Sequence, residues 1–421
     1  MKSLSIIGLG KLGLPLAVCY ASRGFRVIGV DIDPVRVDAV NSRQVDTWEP
    51  KLAEMLRGLS PESLVATEDI RQAVADTDAT IVIVATPSLP GGDFSLKYVL
   101  PACRGIGQAL HDKSYHLIMI DSTVMPGDTG GAIREKLEQA SGKRCGRDFG
   151  LCYVPEFIAL GQIVDDYLSP AYAIIGEYDE RSGDAAEGIL RGLIGDGPPV
   201  ARMNLINAEI VKIASNVMLT FKVGYANLLA RLCGDILGAD VDVVTRALTL
   251  SPRVSPGFMR GGAPFGGPCL PRDVRSLNAA LYQHTGEKHS LLDALDQFNR
   301  DIVWDWVDII MDKLPAGGTV GVLGLSYKPG VPLTIDSPGV WLVEALAETE
   351  LGVVTFDPRI ESSAISLSDC VARADVLIVV MPWSELKTVE EGFWDNKTVI
   401  DCWRYFDKPV GAEYIALGRG T

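Results

Sequence analysis

Short apolar segments rich in β-branched residues alternate with amphipathic stretches along the first part of the chain. Such segments, bounded by polar or glycine-rich positions, are typical of strands in a sheet interior. The helical periodicity between several of them indicates crossover helices, which produce a parallel sheet covered by helices. Strands are therefore predicted at residues 4–8, 27–30, 81–85, 117–120 and 173–175.

The pattern changes in the middle of the chain and then returns. From about residue 204 to about residue 250, apolar residues such as Ile213, Val217 and Phe221 recur every three or four positions without a proline, which predicts a long helix. After Pro315 the strand pattern resumes. Further strands are predicted at residues 320–323, 353–356, 376–380 and 398–400.

The two strand-rich regions resemble each other. Residues 78–87 are similar to residues 375–382, and each region has an early strand followed by an acid, Asp31 and Asp357. We therefore expect an α/β fold with two Rossmann-like, doubly wound parallel-sheet domains joined by a central helical domain with a long helix. The alternative, one large sheet with a helical insertion, is disfavoured by this repetition. The predicted domains span residues 1–200, 201–300 and 301–421, and the last residues from Leu417 are expected to fray.

Charge and composition narrow the classes of function. The 421 residues include 39 Lys and Arg against 54 Asp and Glu, a formal net charge of −15. This sign is wrong for unselective binding of nucleic acid, so an anionic ligand must be held by groups gathered at one site. No apolar run approaches the roughly 18 residues that cross a bilayer. We expect a soluble protein, with no membrane partner, whose N-terminal stretch is a strand rather than a signal peptide because Lys11 interrupts it.

The eight cysteines and four histidines show no ligand or disulfide spacing. This argues against a disulfide framework and against a metal site, and a reducing cytoplasm fits the composition best.

A glycine-rich turn follows the first predicted strand. In a dinucleotide-binding fold, the first glycine permits the tight turn, the second lets a pyrophosphate approach the backbone, and the third lets the helix pack closely. Asp31 would accept hydrogen bonds from ribose hydroxyls and repel a 2′-phosphate, so NAD is predicted rather than NADP. A glycine-rich turn in an unrelated α/β fold is the weaker alternative. The predicted loop contacts are Gly8, Gly10, Lys11, Leu12 and Gly13.

Two threonines follow other predicted strands. Thr86 ends one strand, and Thr123 follows another in the run from Asp121 to Gly127. Because such sheets bind ligands at the carboxyl ends of their strands, both are predicted cofactor contacts, with Thr123 near the nicotinamide. A simple cap or turn role is the alternative for each threonine.

Cys269 lies in a loop of glycines and prolines. Pro271 follows it at a point where a helix can begin, and Arg272 is adjacent. A thiol at a helix N-terminus beside a cation favours the thiolate, which is the reactive form. The loop therefore favours a reactive thiol at Cys269, whereas the other seven cysteines are expected to be buried and inert.

Lys212 and Asn216 are spaced to share one face of the predicted long helix. A cation beside an amide can stabilise an oxyanion. On chemistry alone, a solvent-exposed lysine and a helix-surface asparagine are an equally good interpretation.

Six motifs follow one another along nearly the whole chain: the glycine turn and residues 122–124, 155–157, 209–216, 265–273 and 324–329. Together they resemble the UDP-glucose/GDP-mannose dehydrogenase family. Its members oxidise the C6 alcohol of a nucleotide-diphosphate hexose to a carboxylate with two NAD⁺. The resemblance implies an NAD-dependent nucleotide-sugar 6-dehydrogenase that forms a homodimer.

The resemblance implies a covalent mechanism. Cys269 would capture the C6 aldehyde as a thiohemiacetal, loss of hydride would give a thioester, and water would release the uronate. Such an intermediate retains the aldehyde between the two oxidations.

The resemblance also assigns roles around the nucleophile. Lys212 and Asn216 would stabilise the alkoxide and oxyanion states. Asp273 and Glu156, with Thr123, would handle water and protons, and which carboxylate is the hydrolytic base stays open.

Further ligand contacts are implied in the same way. Lys328 would bind the nucleotide diphosphate in the third domain, and Arg253 falls where the family supplies an arginine across the dimer interface, with Arg260 a competing position. Arg36 and Arg272 match basic positions near the cofactor, and Arg272 replaces the usual lysine. The remaining implied substrate contacts are Glu156, Phe157, Ile158, Phe258, Gly262 and Gly266.

The chain departs from the family pattern at three places. Val154 replaces an asparagine, and residues 158–161 read Ile-Ala-Leu-Gly in place of Leu-Arg-Glu-Gly. After Lys328, an acidic pair is missing and Ile335 stands in place of an arginine, which removes a cofactor phosphate contact. A divergent branch is expected, and UDP-glucose, UDP-N-acetylhexosamines and GDP-mannose all remain open as substrates.

Two other functions are consistent with parts of the sequence. A two-electron NAD-dependent hydroxyacid or sugar-phosphate dehydrogenase could share the Rossmann domain, the helical domain and a lysine–asparagine pair, but would have no use for Cys269 or Lys328. A non-catalytic module that binds NAD or a sugar nucleotide is suggested by the lost arginine alone.

Overall fold

The computed structural model describes residues 3–349, 351–360, 366–387, 392–406 and 411–420. It separates into two compact units, Met1–Ala214 and Ser215–Thr421.

The first unit contains an eight-stranded sheet in the order β3-β2-β1-β4-β5-β6-β7-β8. All neighbouring strands pair in parallel except β6 and β7, which are antiparallel. The strand order reverses direction between β1 and β4, which is where sheets of this type bind ligands. The strands are β1 (Ser3–Ile7), β2 (Arg26–Val30), β3 (Leu64–Thr67), β4 (Ala79–Val82), β5 (Leu117–Ile120), β6 (Gly150–Tyr153), β7 (Ala173–Glu177) and β8 (Val200–Asn204).

Helices cover both faces of this sheet. Successive residues of β1 alternate between two cores, since Leu4 and Ile6 pack on one face and Ile7 on the other. Asp33 and Asp69 each accept a hydrogen bond from a main-chain N–H at the start of a helix. The helices are α1 (Gly13–Ser22), α2 (Pro34–Asn41), α3 (Leu52–Gly58), α4 (Ile70–Ala75), α5 (Val99–Ala109), α6 (Arg134–Ser141), α7 (Ile163–Leu168) and α8 (Glu180–Ile194).

A helix of 30 residues, α9 (Leu205–Gly234), follows β8. Three helices lead from it to the second sheet: α10 (Val241–Leu248), α11 (Leu270–Thr285) and α12 (Ser290–Lys313). In the part of the chain that the structure describes, no helix has the length and apolar character needed to cross a membrane.

The second sheet has five strands, all parallel, in the order β10-β9-β11-β12-β13. Helices α13 (Pro338–Ala347) and α14 (Leu367–Arg373) lie on its two faces, against separate buried clusters. The strands are β9 (Thr319–Leu323), β10 (Gly352–Phe356), β11 (Val376–Val379), β12 (Thr398–Asp401) and β13 (Glu413–Ala416).

The predicted α/β class, with two doubly wound sheets and a long central helix, is confirmed. Four strands were not predicted: β3, β6, β8 and β13. Three of them have only four residues, and β8 reads Val-Ala-Arg-Met-Asn, which carries little apolar character. Their pairing depends on neighbouring strands rather than on a pattern of their own.

The expectation of a frayed C-terminal end is wrong for residues 418–420. The Val241 N–H donates to the Gly418 carbonyl at 3.0 Å, and the Gly420 N–H donates to the Ala239 carbonyl at 3.0 Å. These main-chain hydrogen bonds hold the end of the chain beside the start of α10, and no side-chain pattern could have predicted them.

A buried arginine joins α10 to the second sheet. The Arg404 side chain is fully buried, and its Nε and Nη2 donate to the two carboxylate oxygens of Asp242 at 2.8 and 2.9 Å. Its guanidinium also donates to the carbonyls of Cys402, Leu417 and Gly261. One side chain therefore satisfies acceptors from four separate segments.

Replacement of this arginine should destabilise the second unit strongly. Arg404→Ala leaves a partly buried carboxylate and three carbonyls without their donor, and the expected loss is about 3–5 kcal/mol of unfolding free energy. Urea denaturation measures it. The control is Arg419→Ala, since Arg419 is 40% exposed and pairs with Asp240 near the surface, where an ion pair contributes about 1 kcal/mol or less. Equal losses in both variants would contradict this interpretation.

Candidate active site

The glycine turn after β1 has the geometry of a phosphate-binding loop. Gly8 has a φ of +101°, and a Cβ on Gly13 would lie 1.9 Å from the Gly8 carbonyl oxygen, so the start of α1 touches the turn. A Cβ on Gly10 would meet nothing within 4 Å, which leaves the backbone open there. Lys11 is exposed and Leu12 directly precedes α1. Main-chain N–H groups at this helix start are accessible to an anion.

Asp31 lies at the carboxyl end of β2, beside this turn. It is only 6% exposed, and its carboxylate accepts hydrogen bonds from the main-chain N–H groups of Leu9 at 2.8 Å and Asp33 at 3.0 Å. Arg36 approaches the same carboxylate at 3.4 Å with a half-exposed side chain. The acid is thus oriented at the place where an adenosine ribose lies in dinucleotide-binding folds.

The loops after β4 and β5 are joined by one hydroxyl. The Ser122 Oγ accepts from the Val84 N–H and donates to the Val84 carbonyl, both at 2.8 Å. Thr86 and Thr123, which follow these two residues, are thereby held at neighbouring strand ends; Thr86 is buried and Thr123 half-buried. Sequence reasoning did not assign Ser122 this function.

Buried Glu209 attaches α9 to the Thr123 loop. Its two carboxylate oxygens accept from the N–H groups of Gly127 at 2.6 Å and Thr129 at 2.8 Å. Burial raises the pKa of Glu209. Because Glu209 lies three residues before Lys212, this contact orients the helical turn that carries the lysine.

The loop after β6 carries Glu156 and Phe157. The Lys212 ammonium donates to the Glu156 main-chain carbonyl and lies 5.0 Å from the centre of the Phe157 ring. Farther along, Glu49 accepts from the N–H groups of Gly161 and Ile163, which holds the segment that contains half-buried Ile158. A distant carboxylate therefore shapes this loop, and sequence reasoning did not find it.

In the second unit, Cys269 directly precedes α11 and is exposed. Its carbonyl accepts the first helical hydrogen bond, from Asp273, at 2.9 Å. The other seven cysteines are buried. Burial raises the pKa of Cys19 and of Cys103 to about 12, so these thiols stay protonated. Cys269 is the thiol whose surroundings permit reaction with a ligand.

Two buried asparagines hold the cysteine loop. The side-chain amide of Asn227 on α9 accepts from the Gly262 N–H at 2.7 Å and donates to the Ala263 carbonyl at 3.1 Å. The amide of Asn299 on α12 does the same for both main-chain groups of Phe265, at 2.8 and 2.9 Å. Neither asparagine was predicted, because an amide within a helical apolar pattern gives no signal of its partner.

Asp273 is fully buried and lies one helical turn after Cys269. One of its carboxylate oxygens accepts from the Asn216 side-chain amide at 2.6 Å, and the other accepts from Arg272 Nε at 2.9 Å. The second unit therefore brings together four predicted site residues, which are Asn216, Cys269, Arg272 and Asp273. Arg272, predicted near the cofactor, forms an ion pair with the Asp273 carboxylate.

The two predicted glycines of the substrate loop are needed for close packing. A Cβ on Gly262 would lie 2.4 Å from the Trp403 ring, and a Cβ on Gly266 would lie 2.2 Å from the Asp336 carbonyl oxygen. The loop that carries Lys328 therefore packs against the cysteine loop. Ile335, at the position of the lost arginine, is 49% exposed, and Lys328 is half-buried.

The structure separates the two competing arginines. Arg260 donates to the Trp403 carbonyl at 2.9 Å and lies over the Trp403 ring. Arg253 is exposed, as is Phe258, whose φ is +65°. Both arginines are at the surface, and Arg260 is engaged there by Trp403 of its own chain.

The residues at the first sheet fit an NAD molecule. The open backbone at Gly10, the helix start behind it and the oriented Asp31 match the pyrophosphate and ribose of a dinucleotide with a free 2′-hydroxyl. Fold and site together define an NAD-binding oxidoreductase with an exposed cysteine nucleophile candidate.

Family models identify the class further. The NAD binding domain of the UDP-glucose/GDP-mannose dehydrogenase family matches residues 2–194, its central domain matches 206–301, and its UDP binding domain matches 321–408. The chain belongs to this family and is an NAD-dependent nucleotide-sugar 6-dehydrogenase.

Individual relatives cover nearly the whole chain. UDP-glucose 6-dehydrogenase AglM of Haloferax volcanii is 33% identical over 430 residues, 98% of this chain and 99% of that protein. GDP-mannose 6-dehydrogenase of Pseudomonas syringae pv. syringae is 35% identical over 86% of this chain and 82% of that protein. The structure of a UDP-glucose dehydrogenase from Pyrobaculum islandicum has a TM-score of 0.89 at 30% identity, covering 100% of this chain and 98% of that one.

The exposure of Cys269 predicts selective alkylation. Iodoacetamide on the native protein should label Cys269 at least about tenfold faster than any other cysteine, because the rest are buried and protonated. Peptide mass spectrometry measures the labelling. Cys269→Ala should abolish the fast phase and Cys233→Ala, which removes a buried thiol, should leave it intact. Labelling spread evenly over several cysteines would contradict the assignment.

Proposed function

We propose that the protein oxidises the C6 alcohol of a nucleotide-diphosphate hexose of the UDP-glucose type to the uronate in two NAD-dependent steps. The intermediate aldehyde is held on Cys269. The single observation that supports this most is the exposed thiol at the start of α11, one helical turn before a buried carboxylate with a donor on each oxygen. A simple alcohol dehydrogenase has no use for this arrangement.

The cofactor lies on the first sheet, against the glycine turn and Asp31, with Thr86 and Thr123 at the neighbouring strand ends. Bound NAD⁺ supplies a hydride acceptor for each of the two oxidations. Lys212 places a positive charge beside the C6 oxygen and stabilises the alkoxide that precedes hydride loss. Glu156 accepts the alcohol proton, either directly or through a water molecule ordered with Thr123.

Cys269 then adds to the aldehyde carbon. The thiolate sulfur forms the new bond, and the carbonyl oxygen takes a proton to give a thiohemiacetal. Loss of this proton and of the C6 hydride gives a thioester. The amide of Asn216 stabilises the oxyanion states, and its simultaneous bond to Asp273 fixes its orientation.

Hydrolysis completes the reaction. A carboxylate base takes a proton from water, the hydroxide adds to the thioester carbon, and the Cys269 thiolate leaves as the uronate forms. Asp273 and Glu156 are both proposed for this role. Asp273 lies on the same helical turn as the leaving sulfur, and its two donors keep its oxygens in place.

We assign residues 1–200 to cofactor binding, 201–300 to the helical active-site region and 301–421 to the nucleotide sugar. Lys328 binds the diphosphate as a cation in the loop after β9, and Phe157, Phe258, Gly262 and Gly266 line the sugar-binding loops. The relatives from Haloferax volcanii and Pseudomonas syringae are named for UDP-glucose and GDP-mannose, respectively, and both sugar nucleotides are candidate substrates here. None of the eight cysteines forms a disulfide, which suits a reducing cytoplasm.

The stoichiometry of NADH identifies the reaction. With NAD⁺ in excess and UDP-glucose, UDP-N-acetylmannosamine or GDP-mannose limiting, one sugar nucleotide should yield two NADH per molecule, read by absorbance. Cys269→Ala should lose this turnover by at least about 10³-fold, because the aldehyde has no covalent acceptor. Cys233→Ala should keep both the rate and the stoichiometry.

Two results would favour other functions. One NADH per sugar with an active Cys269→Ala enzyme indicates a two-electron dehydrogenase. Tight NAD binding in calorimetry without turnover of any sugar nucleotide indicates a non-catalytic module.

The homodimer is proposed on an exposed apolar stripe of α9. The side chains of Met218, Tyr225 and Leu232 are 60%, 49% and 54% exposed, and they recur at seven-residue intervals on one helix face. Ile210 and Leu228 extend the same stripe. A continuous apolar face on a helix is covered by an identical face when two copies pack around a two-fold axis. Arg253 would then reach the partner's substrate.

Charge introduced into this stripe should separate the subunits. Met218→Glu and Leu228→Glu place carboxylates in the apolar contact, and sedimentation equilibrium should show a monomer, or a dimer dissociation constant raised at least about 100-fold. Leu291→Glu changes an equally exposed apolar residue on α12 and should leave the dimer intact. A monomeric wild type would refute the proposal.

A further inference from the structure

Asp121 is a buried carboxyl that the proposed mechanism does not use. It follows β5 and is 7% exposed, while Glu156 follows β6 by three residues. These two strands are parallel neighbours, with Ile120 paired to Tyr153, so both acids lie at the same edge of the sheet. The two carboxyl groups are close enough for each to change the pKa of the other: Glu156 raises the pKa of Asp121, and a hydrogen bond with Asp121 lowers the pKa of Glu156.

Two ionised carboxylates offer only acceptors, and a hydrogen bond between them therefore needs a proton. Burial and mutual repulsion favour one shared proton over two negative charges, as in other close carboxyl pairs. The pKa of each acid is raised by burial, and the pKa of Asp121 is raised further by the charge of Glu156.

The groups around the pair decide which acid holds the proton. Lys212 on α9 donates to the Glu156 carbonyl, and its positive charge lowers the pKa of Glu156. The groups on α1 and α7 that interact with Asp121 are two tyrosines rather than cations. Tyr20 and Tyr167 stay neutral, because burial and both carboxyls raise the pKa of each phenol.

One further titratable group, a cysteine, lies near the pair. Cys19 on α1 is neutral because burial raises its pKa to about 12, and its charged neighbours are Arg23, Glu156 and Asp165. The surrounding charges therefore favour the proton on Asp121 and the negative charge on Glu156, beside Lys212.

We propose that Asp121 is a positioning residue, whose neutral carboxyl donates a hydrogen bond to the Glu156 carboxylate and keeps that base ionised and oriented. This inference rests on the proposed role of Glu156 as a base. It assigns the neutral form of Asp121 to the working enzyme, so an uncharged donor at this position should serve equally well.

The pH dependence of kcat/KM tests this directly with two variants. Asp121→Asn keeps a neutral donor, and the acid limb of its profile should stay within a few tenths of a pH unit of the wild type. Asp121→Ala removes the donor, so the pKa of Glu156 rises and the acid limb should move up by about one pH unit. Its rate at pH values below the wild-type limb should fall about tenfold, with little change at high pH. Asp305→Asn, which alters a partly buried carboxyl on α12, should leave the profile unchanged.

Thermal unfolding tests the shared proton without any substrate. Carboxyl pKa values raised by folding stabilise the folded protein at low pH, and this contribution is lost as the pH rises through the folded values. Asp121→Asn carries no carboxyl that can lose a proton, so this loss of stability with rising pH is absent at position 121 and the difference in Tm between the variant and the wild type should increase as the pH rises through neutrality.

The outcomes separate this inference from the proposed function. A Tm difference that is independent of pH would overturn the shared proton. A pH-dependent Tm difference with an unmoved acid limb in Asp121→Ala would overturn the positioning role, while two NADH per sugar would still support the proposed reaction. An Asp121→Asn profile that matches Asp121→Ala would also overturn it.

Discussion

The contact between the first turn and the first helix of each sheet is the constraint on which both binding edges depend. A Cβ on Gly13 would lie 1.9 Å from the Gly8 carbonyl oxygen, and a Cβ on Gly339 would lie 2.0 Å from that of Gly324. Gly8 and Gly324 both have positive φ. This approach lets a helix begin directly behind the strand end, where its N–H groups are available to phosphates. Any larger residue would displace the helix and close the edge.

A buried acid lies beside each of these turns, at the end of a neighbouring strand: Asp31 follows β2, and Asp357 follows β10. Asp31 accepts from two main-chain N–H groups and lies beside a half-exposed arginine. Asp357 accepts from the N–H groups of Leu325 and Ser326, and the Trp383 indole also donates to it at 3.3 Å. Both acids are buried, but Asp357 has an indole donor in addition to main-chain donors, whereas the side-chain donor beside Asp31 is a half-exposed arginine.

Buried and half-buried polar side chains hold the predicted site residues in place. Glu209 holds the Thr123 loop against α9, Asn227 and Asn299 hold the cysteine loop, and Asn216 and Arg272 hold Asp273. In each case a side chain satisfies groups that a loop or helix end cannot satisfy by itself. Burial of these polar side chains costs desolvation free energy, and their hydrogen bonds restrict the conformations of the loops that they hold. The positions of the Thr123 loop, the cysteine loop and Asp273 therefore depend on side chains from other parts of the fold.

The sequence alone determined the two sheets, the long helix, the NAD-binding domain and the position of Cys269 at a helix start, because each has a local signal: strand or helical periodicity, glycine spacing, or a helix start after a loop. The short strands β3, β6 and β13 were not predicted, since they are stabilised by pairing with neighbouring strands and have no clear sequence pattern of their own. Only the tertiary structure decided that Arg272 pairs with Asp273 and that Arg260 is engaged by Trp403. It also placed Asp121 against Glu156. Such contacts join residues that are distant in the chain or lie on different loops, and no periodicity records which side chains the folded backbone brings together.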